Sequence, residues 1–314
     1  MEGDEETSFL GKNMFVVCFG DGLGNQMFQY AFYCSIKDNY PANTVKMDIF
    51  NIYGGHIHNG FELSKVFNIK IDECEKSEAI RLSDYWPQYE NKYRFYNFLA
   101  KIRSYLFGIK ESHISQDDPT EYYNEVYNLS SLKSYIFVGN WANELYLNRV
   151  ENIIREKFVF PLITNEDKQN YEYLKKINES NAVAVHVRKG DYLVSEMINL
   201  TMDYYRLAKE AIEEKVNNPK YFIFSDSAED LNEIEDLFTD SIVVTGNKGS
   251  NSYIDMQLMS MCKHNIIANS TFSFWGAYLN SNKDKVVIAP SKAAKQMRHP
   301  FACKEWKIIN IESL

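Results

Sequence analysis

Residues 182–192 read Ala-Val-Ala-Val-His-Val-Arg-Lys-Gly-Asp-Tyr, an apolar run that changes abruptly into charged residues. Its β-branched portion, residues 182–187, predicts a strand buried on both faces, as strands of a parallel sheet are. In an open α/β sheet, ligands bind beyond the carboxyl ends of the strands, which is where Arg188, Lys189 and Asp191 stand. A guanidinium fork and an ammonium group both match phosphate oxygens. The stretch therefore predicts an anion site, with a solvated charged turn as the alternative.

The remainder of the second half alternates predicted strands with predicted helices. Strands are expected at residues 182–187, 221–224, 241–244, 266–268 and 286–289, with a strand or packing arm at 306–311. Helices are expected at residues 202–215, 228–238, 253–262 and 272–279. This alternation predicts a doubly wound, parallel α/β sheet whose strands end on one common edge.

Two more strands of this half end in polar clusters. After residues 221–224 comes Asp226, a carboxylate that either accepts paired N–H donors, as from a guanine edge, or caps the next helix. The other cluster precedes the helix through Trp275 and consists of Asn269, Ser270, Thr271, Phe272 and Ser273. Free N–H groups at a helix start attract anions, and an N-cap would need only one of those hydroxyls. Converging on one edge, the three clusters predict a nucleotide diphosphate site.

The first half opens with a strand, a glycine-rich turn and a helix. Residues 14–19 are apolar, residues 20–26 read Gly-Asp-Gly-Leu-Gly-Asn-Gln, and residues 27–37 have a helical period. Asp48 follows the next predicted strand, where a dinucleotide fold holds a ribose. However, that motif requires glycine or alanine at the place of Asn25. The pattern therefore disfavours an NAD(P) site.

The middle of the chain is less patterned. A strand is expected at residues 134–138 and a helix at 141–158, with an apolar stripe of Leu145, Val150, Ile153 and Ile154. Only helices and loops are expected in residues 72–131. Pro161 marks a break before a capped helix over residues 165–178. Since 314 residues suggest two domains, we expect a leader over residues 1–13 and domains over 14–162 and 163–314.

Composition restricts the function further. The net charge of -9 argues against nucleic acid as the main partner. Five widely spaced cysteines without a Cys-x-x-Cys motif fit a reducing cytoplasm. No apolar run approaches the length of a membrane span, and the chain has neither an Asp-x-Asp triplet nor a His/Asp/Cys metal set. We expect no metal and no cofactor, so that Arg188, Lys189 and the helix start would neutralise a leaving diphosphate.

Five motifs together resemble the alpha-1,2-fucosyltransferases of glycosyltransferase family 11. They are Gly-Leu-Gly-Asn-Gln-Met-Phe-Gln-Tyr-Ala at residues 22–31, His-Asn-Gly-Phe-Glu-Leu at 58–63, His-Val-Arg-Lys-Gly-Asp-Tyr at 186–192, Phe-Ser-Asp at 224–226 and Asn-Ser-Thr-Phe-Ser-Phe-Trp-Gly-Ala at 269–277. The resemblance spans about residues 14 to 290 in the family's order. It departs from the family at Lys189, where a second Arg is usual, and at residues 20–22, where Gly-Asp-Gly replaces a plainer glycine pair.

The resemblance implies the GT-B architecture, in which two Rossmann-like domains face a cleft. It also implies GDP-fucose as a substrate, a galactose-terminated acceptor, independence of metals and inversion at the anomeric carbon. Arg188 would bind the diphosphate, with His186 and Asp226 near the guanosine. Asn25 and Gln26 would face the donor across the cleft from the acceptor-side domain.

The expected reaction is a single displacement in which a galactoside 2-hydroxyl attacks fucose C1. The base that accepts the hydroxyl proton remains open among Asp191, Glu196, His58 and Asp21, with Asp191 favoured for its place in the phosphate motif. Transfer to another hydroxyl, or a non-catalytic protein that binds nucleotide sugars or glycans, are the alternatives. The expected location is the cytoplasm, with or without peripheral contact to the inner face of a membrane that carries a lipid-linked acceptor.

Overall fold

The chain forms two parallel sheets, each with its own helices, in a computed structural model that describes residues 13–49, 59–82, 112–188, 198–227 and 231–312, together with 102, 105 and 106. The first sheet has the strand order β2-β1-β4-β3. Its strands are β1 Met14–Cys18, β2 Thr44–Asp48, β3 His113–Ser115 and β4 Tyr135–Val138. The helices of this half are α1 Leu23–Asn39, α2 Leu63–Phe67, α3 Lys76–Leu82 and α4 Glu144–Lys157.

The second sheet has six strands in the order β10-β9-β8-β5-β6-β7. They are β5 Asn181–Val187, β6 Pro219–Ser225, β7 Ile242–Val243, β8 His264–Ile266, β9 Val287–Pro290 and β10 Lys307–Ile309. The helices are α5 Lys168–Asn178, α6 Met202–Glu213, α7 Asn232–Leu237, α8 Tyr253–Met261 and α9 Thr271–Tyr278. The predicted parallel α/β class is confirmed, and β5 is the central buried strand that its apolar run predicts.

In both sheets, the direction in which the chain adds successive strands reverses at an internal position. In the second sheet the chain runs outward from β5 to β6 and β7, then returns to the other side of β5 with β8, β9 and β10. In the first sheet the reversal lies between β1 and β4. Open α/β sheets bind ligands at such reversals, since neighbouring strand ends diverge there and leave a crevice. A ligand site is therefore expected at the carboxyl ends of β5 and β8, and of β1 and β4.

Three local predictions were wrong. Strand β8 begins at His264, two residues before the predicted start, because the buried polar Asn265 bonds the Met259 carbonyl at 2.9 Å and so escapes an apolar pattern. Residues 72–131 contain strand β3, a short edge strand paired with β4. The apolar stripe of α4 includes exposed Leu145 and Ile153, since the buried side runs through Tyr146 and Leu147 and the helix is kinked at Val150.

Aromatic packing joins the two halves. The Phe28 ring on α1 lies 4.8 Å from that of Phe274 and 4.9 Å from that of Trp275, both on α9. The Trp275 indole Nε1 donates a 2.9 Å hydrogen bond to the Gly24 carbonyl. One buried cluster runs through these rings from β1 to Trp306. The predicted domain boundary, between residues 162 and 163, falls between α4 and α5 and stays a prediction.

Candidate active site

A cavity of about 790 Å³ lies between the carboxyl ends of the two sheets. Residues 22–25, Asn59, Glu62 and Asn140 line it from the first half. The second half contributes residues that follow β5, β6, β7, β8 and β9, among them Arg188, Asp226, Asp255 and Thr271. Two Rossmann-like units facing a cleft are the predicted GT-B arrangement, which is confirmed. The strand reversals of both sheets open into this one cavity.

Two helix starts meet on one wall of the cavity. Helix α9 is capped by Ser270, whose Oγ accepts a hydrogen bond from the Phe272 N–H at 3.2 Å. Gly24, in the first turn of α1, packs against this cap so closely that a Cβ atom there would lie 2.7 Å from Phe272 N and from Thr271 C. A side chain larger than hydrogen does not fit. Two positive helix ends therefore converge, which favours an anion beside them.

Arg188 supplies a fixed positive charge next to these helix starts. It follows β5 directly, and its Nε lies 3.1 Å from a carboxylate oxygen of Asp226 at the end of the neighbouring β6. Helix α7 begins at Asn232 with Leu231 as its N-cap, so Asp226 does not cap it. The carboxylate instead forms an ion pair with the guanidinium of Arg188. Both side chains are about one-fifth exposed, which leaves Arg188 accessible to a ligand.

His186 presents a neutral ring to the same wall. Burial, and secondarily the charge of Arg188, lower the pKa of His186 to about 3. Its Nδ1 is buried, and no group in the described ranges forms a hydrogen bond with it. Buried polar atoms are rarely left unsatisfied, so this nitrogen is an exception within the described residues. Its ring centroid lies 5.8 Å from that of Phe272, which also lines the cavity.

A partly buried carboxylate stands farther along the cavity, beyond β7. Asp255, in the first turn of α8, accepts a 2.8 Å hydrogen bond from Asn247 Nδ2. Burial raises the pKa of the Asp255 carboxyl to about 7, although the Asn247 hydrogen bond opposes this. Residues 243–249 line the cavity around it. An acceptor in a partly desolvated recess suits a heterocycle with N–H donors.

Glu62 approaches from the first half. It is only 4% exposed, and its backbone N–H donates to the Gln26 Oε1 at 2.8 Å. The Asn59 Nδ2 donates both to Glu62 Oε1 at 3.2 Å and to the Gly249 carbonyl at 2.8 Å. Asn59 therefore bridges the two halves beside the loop that follows β7.

The structure brings most of the predicted donor-binding residues to the cavity. Those that line it are Asn25, His186, Arg188, Asp226, Ser270, Thr271 and Phe272. Three others lie behind the wall. Gln26 bonds the carbonyls of Asp21 and Gly60, Asn269 bonds those of Ile198 and Ala293, and Ser273 bonds that of Ala268. These three hold loops in place in this structure, and their donor contacts stay a prediction.

Four predicted residues, Lys189, Asp191, Glu196 and His58, lie outside the described ranges. Asp21, the remaining candidate base, is an exposed residue that accepts a 3.2 Å hydrogen bond from Asn25 Nδ2. It is not among the residues that line the cavity.

Cysteine thiols and carboxylates are potential metal ligands. The described residues contain one set, Glu144, Cys303 and Glu305, whose ligand atoms lie within 4.8 Å of one another. Burial raises the pKa of the Cys303 thiol, which disfavours the thiolate that binds metals. None of the three lines the cavity. All five cysteines are buried and free.

Sequence reasoning missed Asp255 and the loop after β7. The one available signal was an acidic residue in the first turn of an otherwise apolar helix, which also reads as ordinary charge at a helix start. Asn140, Met297 and Phe301 were missed as well, since each follows a strand end by a distance that only the fold reveals.

Comparison with known proteins gives a consistent assignment. The family model described as "Glycosyl transferase family 11" matches residues 14–310. The chain is 32% identical to an alpha-1,2-colitosyltransferase of Escherichia coli, over 86% of this chain and 89% of that protein. It is 31% identical to the O-antigen biosynthesis glycosyltransferase WbnK of Escherichia coli, over 88% and 93% respectively. A galactoside alpha-(1,2)-fucosyltransferase 1 of Saimiri boliviensis boliviensis is 26% identical, over 58% and 53%.

Within the ranges given for the structure, each helix is too short or too polar to cross a bilayer.

Proposed function

Since the chain belongs to glycosyl transferase family 11, we propose that it transfers L-fucose from GDP-fucose to the 2-hydroxyl of a terminal galactoside, with inversion and without a metal. The observation that carries this proposal is the wall formed by Arg188 and the two helix starts at Gly24 and Ser270. The names of the colitosyl and fucosyl relatives support the alpha-1,2 linkage.

The diphosphate would lie on that wall. Arg188 supplies two or more N–H donors in a fixed plane, and the first turn of α9 supplies backbone N–H groups. These groups are already positioned before the reaction, so charge that develops on the departing GDP is stabilised without reorganisation. Lys189 would add a second cation.

Asp255 is the better candidate for guanine recognition than Asp226. Asp226 is engaged by Arg188 at 3.1 Å, whereas Asp255 faces the recess formed by residues 243–249. A carboxylate can accept both N1–H and the exocyclic amino group of guanine. His186 lines the same cavity, where its neutral ring would pack beside the nucleoside.

The reaction is a single displacement. The acceptor oxygen forms a bond to fucose C1 while the bond from C1 to the β-phosphate oxygen breaks, and GDP departs with that electron pair. The hydroxyl proton passes to a base, for which Asp191, Glu196, His58 and Asp21 remain the candidates. Attack opposite to the leaving group inverts the anomeric configuration.

A glycan array with GDP-fucose tests the proposal. Galactose-terminated acceptors should gain fucose, NMR of the product should show the alpha-1,2 linkage, and EDTA should leave turnover unchanged. GDP binding without GDP release on any acceptor would instead indicate a non-catalytic binding protein. A product linked through a hydroxyl other than the 2-hydroxyl would indicate a fucosyltransferase of another linkage. Loss of turnover on chelation would refute metal independence.

The donor sugar has one specific rival. Because a relative at 32% identity is named as a colitosyltransferase, a colitosyl donor should be run beside GDP-fucose on the same array. The name of WbnK favours O-antigen precursors as the acceptor. The array should therefore carry both lipid-linked and free glycans. A lipid-linked acceptor would favour a cytoplasmic enzyme that contacts the inner membrane face peripherally.

A further inference from the structure

A carboxylate of the first half lies between the two ends of the nucleotide site. We propose that Glu62 binds the ribose hydroxyls of the donor nucleotide and so makes the enzyme select ribonucleotides over 2′-deoxyribonucleotides. This inference rests on the proposed function, since it takes a guanosine diphosphate as the occupant of the cavity.

The position of Glu62 follows from its hydrogen bonds. On one side its backbone N–H donates to Gln26, which lies in the same α1 turn as the Gly24 wall of the phosphate site. On the other side Asn59 connects its carboxylate to Gly249, in the loop that also carries Asn247 and borders Asp255. Glu62 thus lies between the phosphate wall and the base recess. In a nucleoside diphosphate, the group between phosphate and base is the ribose.

The chemistry of Glu62 suits a diol. An ionised carboxylate accepts hydrogen bonds only, offers about four acceptor positions, and can hold the Asn59 amide together with ligand hydroxyls. Acidic side chains bind ribose hydroxyls in the same way in dinucleotide folds. The residue that such a fold would use here, Asp48, is 5% exposed, accepts from Cys18 Sγ at 3.3 Å and does not line the cavity. Glu62, not Asp48, faces the nucleotide.

Glu62 is also held rigidly. Gln26 is fully buried and bonds the Gly60 carbonyl as well as the Glu62 N–H, so the loop before α2 is fixed to α1. Asn59 fixes the carboxylate relative to the second half. A preorganised acceptor loses little entropy on binding, which strengthens its discrimination between a hydroxyl and a hydrogen.

The test compares GDP with 2′-deoxy-GDP by isothermal titration calorimetry on the full chain. The wild type should bind GDP about tenfold to a hundredfold more tightly, as a charged hydrogen bond predicts. Glu62→Gln should reduce that ratio to near one, mainly by weakening GDP. Asp255→Asn is the matched control, because it should weaken both ligands by a similar factor and keep the ratio.

Each failure has its own reading. If the wild type binds no GDP, the proposed function falls together with this inference. If GDP binds but 2′-deoxy-GDP binds equally well, or Glu62→Gln keeps the wild-type ratio, only the ribose contact is refuted. The wild-type ratio does not depend on any variant, and Glu62→Asp, which shortens the acid but keeps its charge, should give an intermediate ratio if Glu62→Gln fails to fold.

Discussion

Arg188 shows how one side chain is prepared at the residue scale. It stands one position beyond β5, which is buried from Ala182 to Val187, and it pairs with the carboxylate of Asp226, which directly follows the neighbouring strand. Removing the guanidinium would leave the negative charge of Asp226 beside the diphosphate without this counter-charge. The loss would therefore be felt most in the transition state, where the departing phosphate gains charge.

We predict that Arg188→Ala lowers kcat by about two orders of magnitude or more while folding is unchanged. Steady-state kinetics with GDP-fucose, together with thermal melting, would measure both effects. Arg206→Ala is the matched control, because Arg206 is an exposed arginine on α6 that pairs with Asp203. An Arg188→Ala protein with normal turnover would remove this residue from the mechanism.

Asp255 predicts a pH dependence of stability. Its pKa is raised from 3.8 to about 7 in the folded protein, mainly by burial. The folded state therefore holds a proton that the unfolded chain releases, so the stability contribution is complete below about pH 4 and is lost as the pH rises through about 7. Asp255→Asn removes this titration. The difference between the Tm of Asp255→Asn and that of the wild type, measured from pH 5 to pH 8, should increase with pH in favour of the variant.

A constant difference in Tm between the two proteins across that range would contradict the raised pKa of Asp255. Asp284→Asn, which makes the same substitution at an exposed loop position, serves as the reference variant.

Helix starts decide the site at the scale of elements. Helix α9 begins at the cavity wall, and α1 approaches it so closely that Gly24 has room for no side chain. The Trp275 hydrogen bond to the Gly24 carbonyl holds the two helices at this distance. Gly24, in the first turn of α1, is thus required by the contact between α1 and α9. It is not required by the pyrophosphate of a dinucleotide.

We predict that Gly24→Ala lowers stability by about 1–3 kcal/mol, because its Cβ would force the backbone of Thr271 and Phe272 to move. The affinity for GDP should fall with it, since the same backbone forms the anion wall. Gly20→Ala is the control, for no described atom lies within 4 Å of a Cβ placed there. Denaturant melts and calorimetric titration of both variants would decide. Equal behaviour of the two would show that the helices separate without cost.

The whole molecule is joined through one aromatic core. The rings of Phe28, Phe274 and Trp275 belong to a buried cluster that extends from Phe15 on β1 to Trp306 near the end of the chain. The cavity is lined by residues of both halves and so depends on their contact. Relative movement of the halves would therefore cost buried apolar area and disturb the site at once.

We predict one cooperative thermal transition for the full chain, because unfolding of either half would expose this shared cluster. Differential scanning calorimetry should give equal calorimetric and van't Hoff enthalpies. Phe28→Ala, which deletes the ring between the halves, should broaden or split the transition. Two separate transitions in the wild type would show that the halves unfold independently.

Much of this protein followed from its sequence. Apolar runs indicate buried strands, and the alternation of strands with helices indicates a parallel sheet. Because ligands bind at the strand ends of such a sheet, residues 182–192 and 269–273 already indicated an anion site there. The same local patterns misplaced β8 and the buried side of α4, because a buried asparagine and a helix kink leave no periodic signal.

Only the tertiary structure decided which residues meet. In the folded chain, Asp226 forms an ion pair with Arg188. Asp255 and Glu62 line the cavity, whereas Gln26, Asn269 and Ser273 lie behind its wall. These outcomes depend on contacts between residues far apart in the chain, such as Gly24 with Thr271 and Asn59 with Gly249. Hydrophobic periodicity reports on which face of an element is buried, whereas the distance between two faces is determined by the packing of the complete chain.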